Sequence, residues 1–349
     1  MATMVQAIRM ALHYGEKHLE VKDIFGQDVG PPLGGVFTAT QGLKTTWNSP
    51  LDERGIIGTA IGIAMTGERC VCEIQFADYI FNTIDLLKLA GNNLWASHGQ
   101  FPLPLVLMTP NGAGIHGSIY HSHSFDTWAT RIPGWKIVSP SNALDAYGLM
   151  LSAILDPNPV FYLKPKALLR VKSKEKIPGE PESEKELKER IDAPIGLERE
   201  NWKARWPKLE LYTVPLGKAR LVEEGTDITV VSYGRSLVLC EKAIQNLDIS
   251  VELIDLRSLY PYDWQSIKKS LQKTGRILFV NEDTEVSNFG EHLAYRCTKE
   301  AFYDLLVPPT VLAGKQVPGI GLHPNLESAT VPQISDIKKE IEKLVHSSL

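Results

Sequence analysis

The sequence is poor in cysteine, in long apolar runs and in excess positive charge, and each deficit excludes a class of protein. Four cysteines in 349 residues cannot build a disulfide framework. The longest apolar run, near Phe101–Met108, contains two prolines and is far shorter than the ~18 apolar residues of a membrane span. The net charge is −4, whereas domains that bind nucleic-acid phosphates are usually strongly basic. We therefore expect neither a nucleic acid nor a membrane as a partner.

Several common catalytic signatures are missing as well. The chain has no Walker loop, no G-x-S-x-G and no H-E-x-x-H. Cys70 and Cys72 would face the same side of a strand, but no second cysteine pair completes a zinc site. We expect free, buried thiols in a reducing compartment. The charged, amphipathic N-terminal segment differs from a secretory signal and favours a cytoplasmic location.

Helical and strand patterns alternate through most of the chain. Because strands separated by helices of about 10–15 residues form parallel sheets, we predict an α/β fold of two parallel-sheet domains. The Gly- and Pro-rich run of residues 25–35 (FGQDVGPPLGG) is predicted to be a loop. Among the clearest predicted elements are helices at Val5–Gly15, Ile56–Met65, Asn82–Trp95 and Phe289–Leu305, and strands at Cys70–Phe76, Leu103–Thr109 and Val251–Asp255.

The clearest change in composition lies between Lys172 and Arg190, where 12 of 19 residues are charged, with both signs mixed. This pattern is typical of an exposed linker or insertion, and a docking tail for a partner is the alternative. The predicted organisation is an α/β domain over residues 1–171, a charged linker over 172–212, and a second α/β domain over 213–349.

A charged patch, Leu51-Asp52-Glu53-Arg54-Gly55, precedes an apolar helix. Glu53 sits where that helix begins. A surface acid favoured by the helix dipole, or a partner of the helix cap, is one interpretation. The other is a carboxylate in an apolar pocket, where it shares a proton with a basic ring nitrogen.

Polar residues interrupt a buried strand in the run Glu73–Phe81 (EIQFADYIF). Ligands of parallel-sheet folds bind at the carboxyl ends of strands, so this run is a candidate binding segment. The aromatic rings of Phe76 and Tyr79 are either core residues or a surface on which a heteroaromatic ring stacks. The residues alone leave both roles open.

Three of the nine histidines, His116, His121 and His123, fall within eight residues of a glycine-rich loop. Imidazole is a common metal ligand, but no Cys, Asp or Glu lies inside the stretch. Histidines that donate or move protons in an active site are the favoured interpretation.

At these residues the sequence resembles a known family. The runs SPLDERGIIG, EIQFADYIF, GIHGSIYHSHS and VELIDLRSLYP are similar to the beta subunit of the decarboxylating component of 2-oxo acid dehydrogenase complexes. That group includes the branched-chain 2-oxo acid and pyruvate enzymes, within the transketolase-like thiamine diphosphate superfamily. The resemblance implies a pyrimidine-binding domain followed by a transketolase C-terminal-type domain.

The resemblance also implies roles for residues. Glu53 would hydrogen-bond the aminopyrimidine of thiamine diphosphate and favour the tautomer that activates the cofactor. His121 would face the substrate as a donor or proton carrier, and His116 matches a second histidine of the loop. The residues expected to line the pyrimidine pocket are Leu51, Gln75, Phe76 and Tyr79.

The implied enzyme carries out oxidative decarboxylation of a 2-oxo acid and passes the acyl group to lipoamide. In this family an alpha subunit holds the diphosphate and Mg²⁺ through a motif that begins G-D-G, which is missing here. The resemblance therefore implies an α2β2 heterotetramer, active only with the alpha subunit, and a lipoyl acyltransferase core as partner. It also implies a monovalent cation such as K⁺ near Asp156 and Asn158.

The chain departs from the family pattern in three places. The stretch before the Leu51–Glu53 patch is short, the charged linker is long, and His123 stands where the family usually has glutamine. These departures bear on partner contacts and substrate choice. An acetoin-dehydrogenase-like split enzyme and a non-catalytic scaffold for an acyltransferase core are the alternative functions.

Overall fold

The computed structural model describes residues 1–347, in which α-helices alternate with β-strands. The helices are α1 (Met4–His18), α2 (Glu53–Met65), α3 (Ile84–Ala96), α4 (Asp126–Thr130), α5 (Ala143–Leu155), α6 (Glu184–Ile191), α7 (Gly234–Ile244), α8 (Trp264–Thr274), α9 (Phe289–Glu300), α10 (Pro324–Thr330) and α11 (Ile334–His346). The strands are β1 (Val21–Gly26), β2 (Thr46–Asn48), β3 (Arg69–Glu73), β4 (Leu105–Asn111), β5 (Lys136–Val138), β6 (Val160–Pro165), β7 (Arg220–Glu223), β8 (Ile228–Ser232), β9 (Val251–Asp255), β10 (Ser258–Tyr260), β11 (Ile277–Thr284) and β12 (Thr310–Gly314). No helix among the described residues has both the length and the apolar character that crossing a bilayer requires.

The chain separates into two compact units. The first comprises Met1–Pro110, Ile132–Lys164 and Leu168–Leu216, and the second comprises Asn111–Arg131, Pro165–Ala167 and Gly217–Leu349. The histidine-rich loop therefore belongs to the second unit, although it lies early in the sequence. The domain boundaries expected from composition, at 171 and 212, remain a prediction.

The first unit is built on a parallel sheet. Within this unit the strands run in the order β5-β6-β4-β3-β1-β2, and β1, β2, β3 and β4 are paired in parallel register. Helix α1 packs against α5, and α1 begins with a capping box in which Thr3 accepts from the backbone of Gln6. Because both helices are largely buried, this layer forms much of the first unit's core.

The two cysteines of β3 lie on the same side of the strand, as the C-x-C spacing predicts. Cys70 Sγ donates to the carbonyl oxygen of Ala60 in α2 at 3.5 Å, so this face packs on that helix. All four cysteines are free and buried. Burial raises the pKa of Cys70 to about 12, which keeps the thiol protonated and unreactive.

The second unit has a five-stranded sheet in the order β12-β11-β8-β9-β7, parallel except for the edge strand β7. Ile228 and Val230 on β8 point into an apolar cluster with residues of α7 and α11. Between them, Thr229 contacts the hydroxyl groups of Ser270 and Thr274 on α8. Because neighbouring strand residues face opposite sides, helices cover both faces of this sheet.

The charged segment belongs to the first unit and contributes a helix to it. Helix α6 lies within it, capped by Ser183, and buries Leu187 and Ile191. The guanidinium of Arg9, itself buried in α1, donates to Asp192 Oδ1 at 2.8 Å and to the carbonyl oxygen of Ile191 at 2.6 Å. The charged residues of α6 therefore lie on the solvent side of a short amphipathic helix.

Several element boundaries differ from the sequence prediction. β3 ends at Glu73 instead of Phe76, because the chain turns into a 3-10 helix over Ala77–Thr83 and α3 follows only from Ile84. The predicted loop of residues 25–35 begins with two residues of β1, because buried Phe25 stacks on Trp47 at 4.3 Å. Helix α9 ends at Glu300, and a further 3-10 turn follows.

A buried ion pair lies at the carboxyl end of β3. Lys164 Nζ contacts Glu73 Oε2, and each side chain is only 1% exposed. Removing one partner of such a pair leaves the other charge buried without compensation, and this costs more than the pair contributes. The pair therefore fixes the end of β3, directly before the candidate binding segment.

We predict that Lys164→Met lowers the free energy of unfolding by about 3–5 kcal/mol, because the Glu73 carboxylate then stays buried alone. The double variant Glu73→Gln/Lys164→Met removes both charges and should recover most of that loss. Urea unfolding of the three proteins measures the difference. A double variant as unstable as Lys164→Met would contradict this account of the pair.

Candidate active site

Glu53 is the first residue of α2 and its side chain is partly exposed. The preceding residue, Asp52, is in the N-cap position but makes no side-chain cap bond. Glu53 Oε2 accepts a hydrogen bond from Asn82 Nδ2 at 3.3 Å. The carboxylate is therefore oriented by a side chain from the following helical segment, and the helix cap does not use it.

A bidentate ion pair supports that orientation. Arg54 Nη1 and Nη2 donate to the two carboxylate oxygens of Asp85 at 2.6 and 2.8 Å, and Nη1 also donates to the carbonyl oxygen of Asn82 at 2.9 Å. The guanidinium lowers the pKa of Asp85 to about 2. The start of α2 is thereby tied to the start of α3 beside Glu53.

The segment after β3 brings aromatic and amide groups to the same region of the first unit. Phe76 is buried and makes edge contacts with Phe37 at 6.1 Å and with Tyr79 at 5.8 Å between ring centroids. Gln75 Nε2 donates to Asp28 Oδ2 at 3.0 Å. Phe76 thus packs in the core, while Tyr79 stays partly exposed.

Tyr79 lies within electrostatic reach of Glu53. Burial raises the pKa of the Tyr79 hydroxyl, and the carboxylates of Asp78 and Glu53 raise it further. Leu51, two residues before Glu53 in the chain, is 72% exposed. A carboxylate and a phenol therefore lie near each other in the first unit, and an exposed leucine lies two residues from that carboxylate in the chain.

The three clustered histidines lie in the second unit, on a loop with unusual backbone. His116 and Ser118 have φ values of +55° and +65°, in the left-handed region that side chains rarely adopt. A Cβ at Gly117 would lie 2.6 Å from the carbonyl oxygen of His121, so only glycine fits there. The loop is closed at its base, where Gly112 N–H donates to the carbonyl oxygen of His123 at 3.1 Å.

Glu327, a buried residue of α10, holds this loop. Its two carboxylate oxygens accept from the backbone N–H groups of Gly114 at 3.1 Å and His116 at 3.0 Å. His116 Nδ1 lies 3.5 Å from Glu327 Oε1. Backbone strain of about 1–3 kcal/mol per residue persists only where the surroundings fix it, and this carboxylate supplies that constraint.

Carboxylates at the end of β11 hold the two flanks of the loop. Glu282 Oε2 accepts from Ala113 N–H at 3.3 Å and from Arg235 Nη1 at 3.1 Å. Asp283 Oδ2 accepts from Thr127 N–H at 2.9 Å. The segment from 111 to 131 is therefore fixed at four backbone positions by acids of the second unit.

Asp126 completes a buried acidic cluster beneath the loop. It accepts from Asn111 Nδ2 at 2.7 Å. Burial raises the pKa of Asp126 well above its ordinary value, and the neighbouring charges of Asp283 and Glu282 add to this effect. Burial raises the pKa of Glu282 and Asp283 as well. Burial thus disfavours the ionised form of all three carboxyl groups.

Asp156 and Asn158, the residues expected near a monovalent cation, contact each other. Asp156 Oδ1 accepts from the backbone and side-chain amides of Asn158 at 2.9 and 3.0 Å, and Oδ2 accepts from Lys136 Nζ at 2.5 Å. Both carboxylate oxygens thus face donors from the chain itself. Across residues 1–347, no three His, Cys, Asp or Glu side chains are arranged to hold a metal ion.

The sequence did not predict a functional role for Asn82, Glu282, Asp283 or Glu327. One signal was available for the acids of β11, because the polar run Asn281-Glu282-Asp283 ends a buried strand in the same way as Glu73 does. Glu327 lies in a short helix without a local signal of this kind. Its partner residues are more than 200 positions away.

Comparison with known proteins agrees with the two-unit fold. Residues 2–172 match the family described as "Transketolase, pyrimidine binding domain", and residues 217–337 match "Transketolase, C-terminal domain". A solved split-gene transketolase, described as an inactive beta4 tetramer, superposes with a TM-score of 0.69 at 15% identity and full coverage of both chains. The chain is thus a transketolase-like α/β protein, and the expected fold class is confirmed.

Curated relatives narrow the class. The pyruvate dehydrogenase E1 component subunit beta of Acholeplasma laidlawii is 34% identical over 89% of each chain. The 2-oxoisovalerate dehydrogenase subunit beta of Bacillus subtilis is 32% identical over 93% of this chain and 92% of the relative. A mitochondrial counterpart from Arabidopsis thaliana is 35% identical over 90% and 82%. The chain belongs to this family of 2-oxo acid dehydrogenase beta subunits, as its motifs predict.

We predict that Glu327→Gln speeds chymotryptic cleavage after the exposed Tyr120 about tenfold or more. The amide has only one accepting oxygen, so one charge-assisted bond of about 1.5–3 kcal/mol is lost and the loop opens more often. Mass spectrometry of timed digests locates the cut. Glu342→Gln on the exposed side of α11 is the matched control, and equal cleavage of both variants would contradict the role of Glu327.

We also predict a pH-dependent effect of Asp126→Asn. A raised carboxyl pKa means that the protonated form stabilises the fold, and this stability is lost as pH rises through the folded-state pKa. The asparagine keeps the acceptor for Asn111 but never ionises. The melting temperature of the variant minus that of the natural chain should therefore increase between about pH 4 and about pH 8. A constant difference would count against a protonated Asp126.

Proposed function

We propose that this chain supplies the beta half of a thiamine diphosphate-dependent 2-oxo acid dehydrogenase active site. The reaction is oxidative decarboxylation of pyruvate or a branched-chain 2-oxo acid, with transfer of the acyl group to lipoamide. One observation carries the proposal: the accessible Glu53 carboxylate, oriented by Asn82 and close to Tyr79, in a chain whose relatives are beta subunits of such enzymes.

The donor set fits the aminopyrimidine of thiamine diphosphate. A carboxylate beside a phenol ring and an exposed leucine offers one polar partner to a ring nitrogen and apolar contact to its faces. When bound, this cofactor supplies a nucleophilic carbon and accepts the electrons released in decarboxylation. The chain has no equivalent of the family's diphosphate motif, so we propose that an alpha subunit holds the diphosphate and Mg²⁺.

Glu53 would hold a proton at its carboxylate, on the side away from Asn82. The bidentate Arg54–Asp85 pair keeps Asn82, and hence Glu53, in place. Leu51, Phe76 and Tyr79 would exclude water from that carboxylate once an alpha subunit covers it. Gln75 would add an amide at the pocket edge, where it already donates to Asp28.

We propose that His121 moves or donates a proton near the substrate, with His116 and His123 as neighbours on the same loop. Glu327 and Glu282 hold that loop in one conformation. A fixed loop limits the conformations in which an imidazole can meet substrate, and such positioning is a large part of catalysis. His123, which stands where the family usually has glutamine, interacts electrostatically with Asp283.

The proposed assembly is an α2β2 heterotetramer that delivers acyl groups to a lipoyl acyltransferase core. The four free and buried thiols support a reducing compartment such as the cytoplasm. K⁺ has no role in the proposed reaction, because the Asp156 oxygens already accept from Lys136 and Asn158.

The test is Glu53→Gln in the chain co-expressed with its alpha subunit. We expect 2-oxo acid decarboxylation with an artificial electron acceptor to fall about 10²–10⁴-fold, the usual contribution of a general acid–base group. Assembly with the alpha subunit and the melting temperature should remain unchanged, because Glu53 is partly exposed. Rates with pyruvate and branched-chain 2-oxo acids identify the substrate.

Glu68→Gln, an exposed acid in the turn between α2 and β3, is the matched control. Full activity of Glu53→Gln would exclude Glu53 as the cofactor partner. Activity with acetoin alone would favour the acetoin-type enzyme, and a stable assembly that binds no thiamine diphosphate would favour the scaffold.

A further inference from the structure

The second unit contains a cleft of about 600 Å³ beside the N-terminal end of α9. Its wall includes two arginines, Arg131 and Arg296, together with Tyr262, Phe289 and His292. None of the described residues that line it is Asp or Glu, although Glu300 pairs with Arg296. The volume lies within the range of about 300–1,000 Å³ that is typical of small-molecule sites, and the charge of the lining favours an anion.

Arg131 carries an uncompensated charge at this cleft. One of its N–H groups donates to the carbonyl oxygen of Ser287 at 2.9 Å, and its guanidinium lies 5.8 Å from the ring of Trp128. The structure gives it no carboxylate partner among residues 1–347. A guanidinium fixed at one nitrogen keeps further N–H donors in a planar fork, the geometry that suits phosphate oxygens.

Arg296 is held in a fixed orientation on the opposite element. It lies 4.3 Å from the ring of Trp264, and its Nε donates to Glu300 Oε1 at 2.9 Å. Nη1 donates to the hydroxyl oxygen of Tyr262 at 2.7 Å, and that hydroxyl lies 2.9 Å from His292 Nε2. Because the tyrosine oxygen accepts from Arg296, we assign its own proton to the bond with His292.

An Nε2 atom that accepts from Tyr262 requires a neutral imidazole at His292. Burial lowers its pKa, and the Arg296 charge lowers it further. With Nε2 accepting from Tyr262, the ring proton lies on Nδ1. The chain Arg296–Tyr262–His292 thus fixes a guanidinium and an imidazole N–H donor in relation to each other.

Aromatic residues also line the cleft. Tyr262 meets Phe289 edge-on at 5.6 Å between ring centroids, and Phe289 and His292 are nearly parallel at 6.2 Å. The first N–H groups of α9 are already used, since Phe289 N donates to Thr127 Oγ1 and Gly290 N to Asn288 Oδ1. Anion binding would therefore depend on the arginines, and the rings would suit a planar group.

We propose that this cleft binds a small phosphate-bearing ligand with a planar ring, of nucleotide size. The phosphate contacts Arg131 and Arg296, and the ring packs on the aromatic wall formed by Tyr262, Phe289 and His292. None of these residues belongs to the proposed active site. Binding at this cleft therefore does not depend on the proposed dehydrogenase activity.

Isothermal titration of the full chain with adenosine 5′-monophosphate tests the proposal. We expect one saturable site, with ribose 5-phosphate and adenosine each binding at least tenfold more weakly. Arg131→Gln and Arg296→Gln should each weaken binding at least tenfold. Arg205→Gln, an exposed arginine of the first unit, is the matched control and should bind as the natural chain does.

Arg131→Lys keeps the charge but loses the planar fork, so it should also bind more weakly and serves if the glutamine variant fails to fold. No saturable binding, or equal binding by the natural chain and the Arg131 variants, would overturn the site. Ribose 5-phosphate binding as tightly as the nucleotide would overturn the aromatic wall as part of it.

Discussion

The loop from 112 to 123 has no regular secondary structure of its own, so its backbone N–H groups need acceptors from elsewhere in the second unit. Buried carboxylates provide them. Glu327 takes two N–H groups, and Glu282 takes a third. Charge-assisted bonds of this kind are stronger than neutral ones. They make a glycine-rich loop with left-handed residues a defined surface on which histidines can be placed.

Hydrogen bonds from charged side chains also orient a candidate functional residue in the first unit. There the candidate cofactor carboxylate, Glu53, is oriented by Asn82, and Asn82 is fixed by the bidentate pair of Arg54 and Asp85. A surface ion pair contributes little to stability. Here the ion pair joins the starts of two helices and so helps to orient the partly exposed carboxylate of Glu53.

Both units end buried strands with charged residues at the carboxyl edge of a parallel sheet. Glu73 ends β3 and pairs with buried Lys164, and the acids of β11 end in the cluster around Asp126. At each edge a buried apolar strand therefore ends in ionisable residues. In the second unit, the cleft lined by arginines and aromatic rings lies beside α9.

Much of this protein follows from local sequence. Periodicity placed most helices and strands, because the buried strands of a parallel sheet are short apolar runs and the helices that cover it have apolar residues at helical spacing. The motifs around Glu53, Gln75 and His121 identified the family. Boundaries such as the end of β3 at Glu73 did not follow, because the 3-10 turn after it depends on packing of Phe76 against Phe37.

Only the tertiary structure brought in residues that are distant in the chain. Glu327 acts on Gly114 and His116 across more than 200 positions, and the cleft of the second unit joins α4, α9 and the turn after β10. No local pattern encodes such pairings. The sequence determines which residues are apolar enough to be buried, which favour turns and which can ionise. The fold alone decides which of them meet, because hydrogen bonds and charge pairs act over a few ångströms in space and not along the chain.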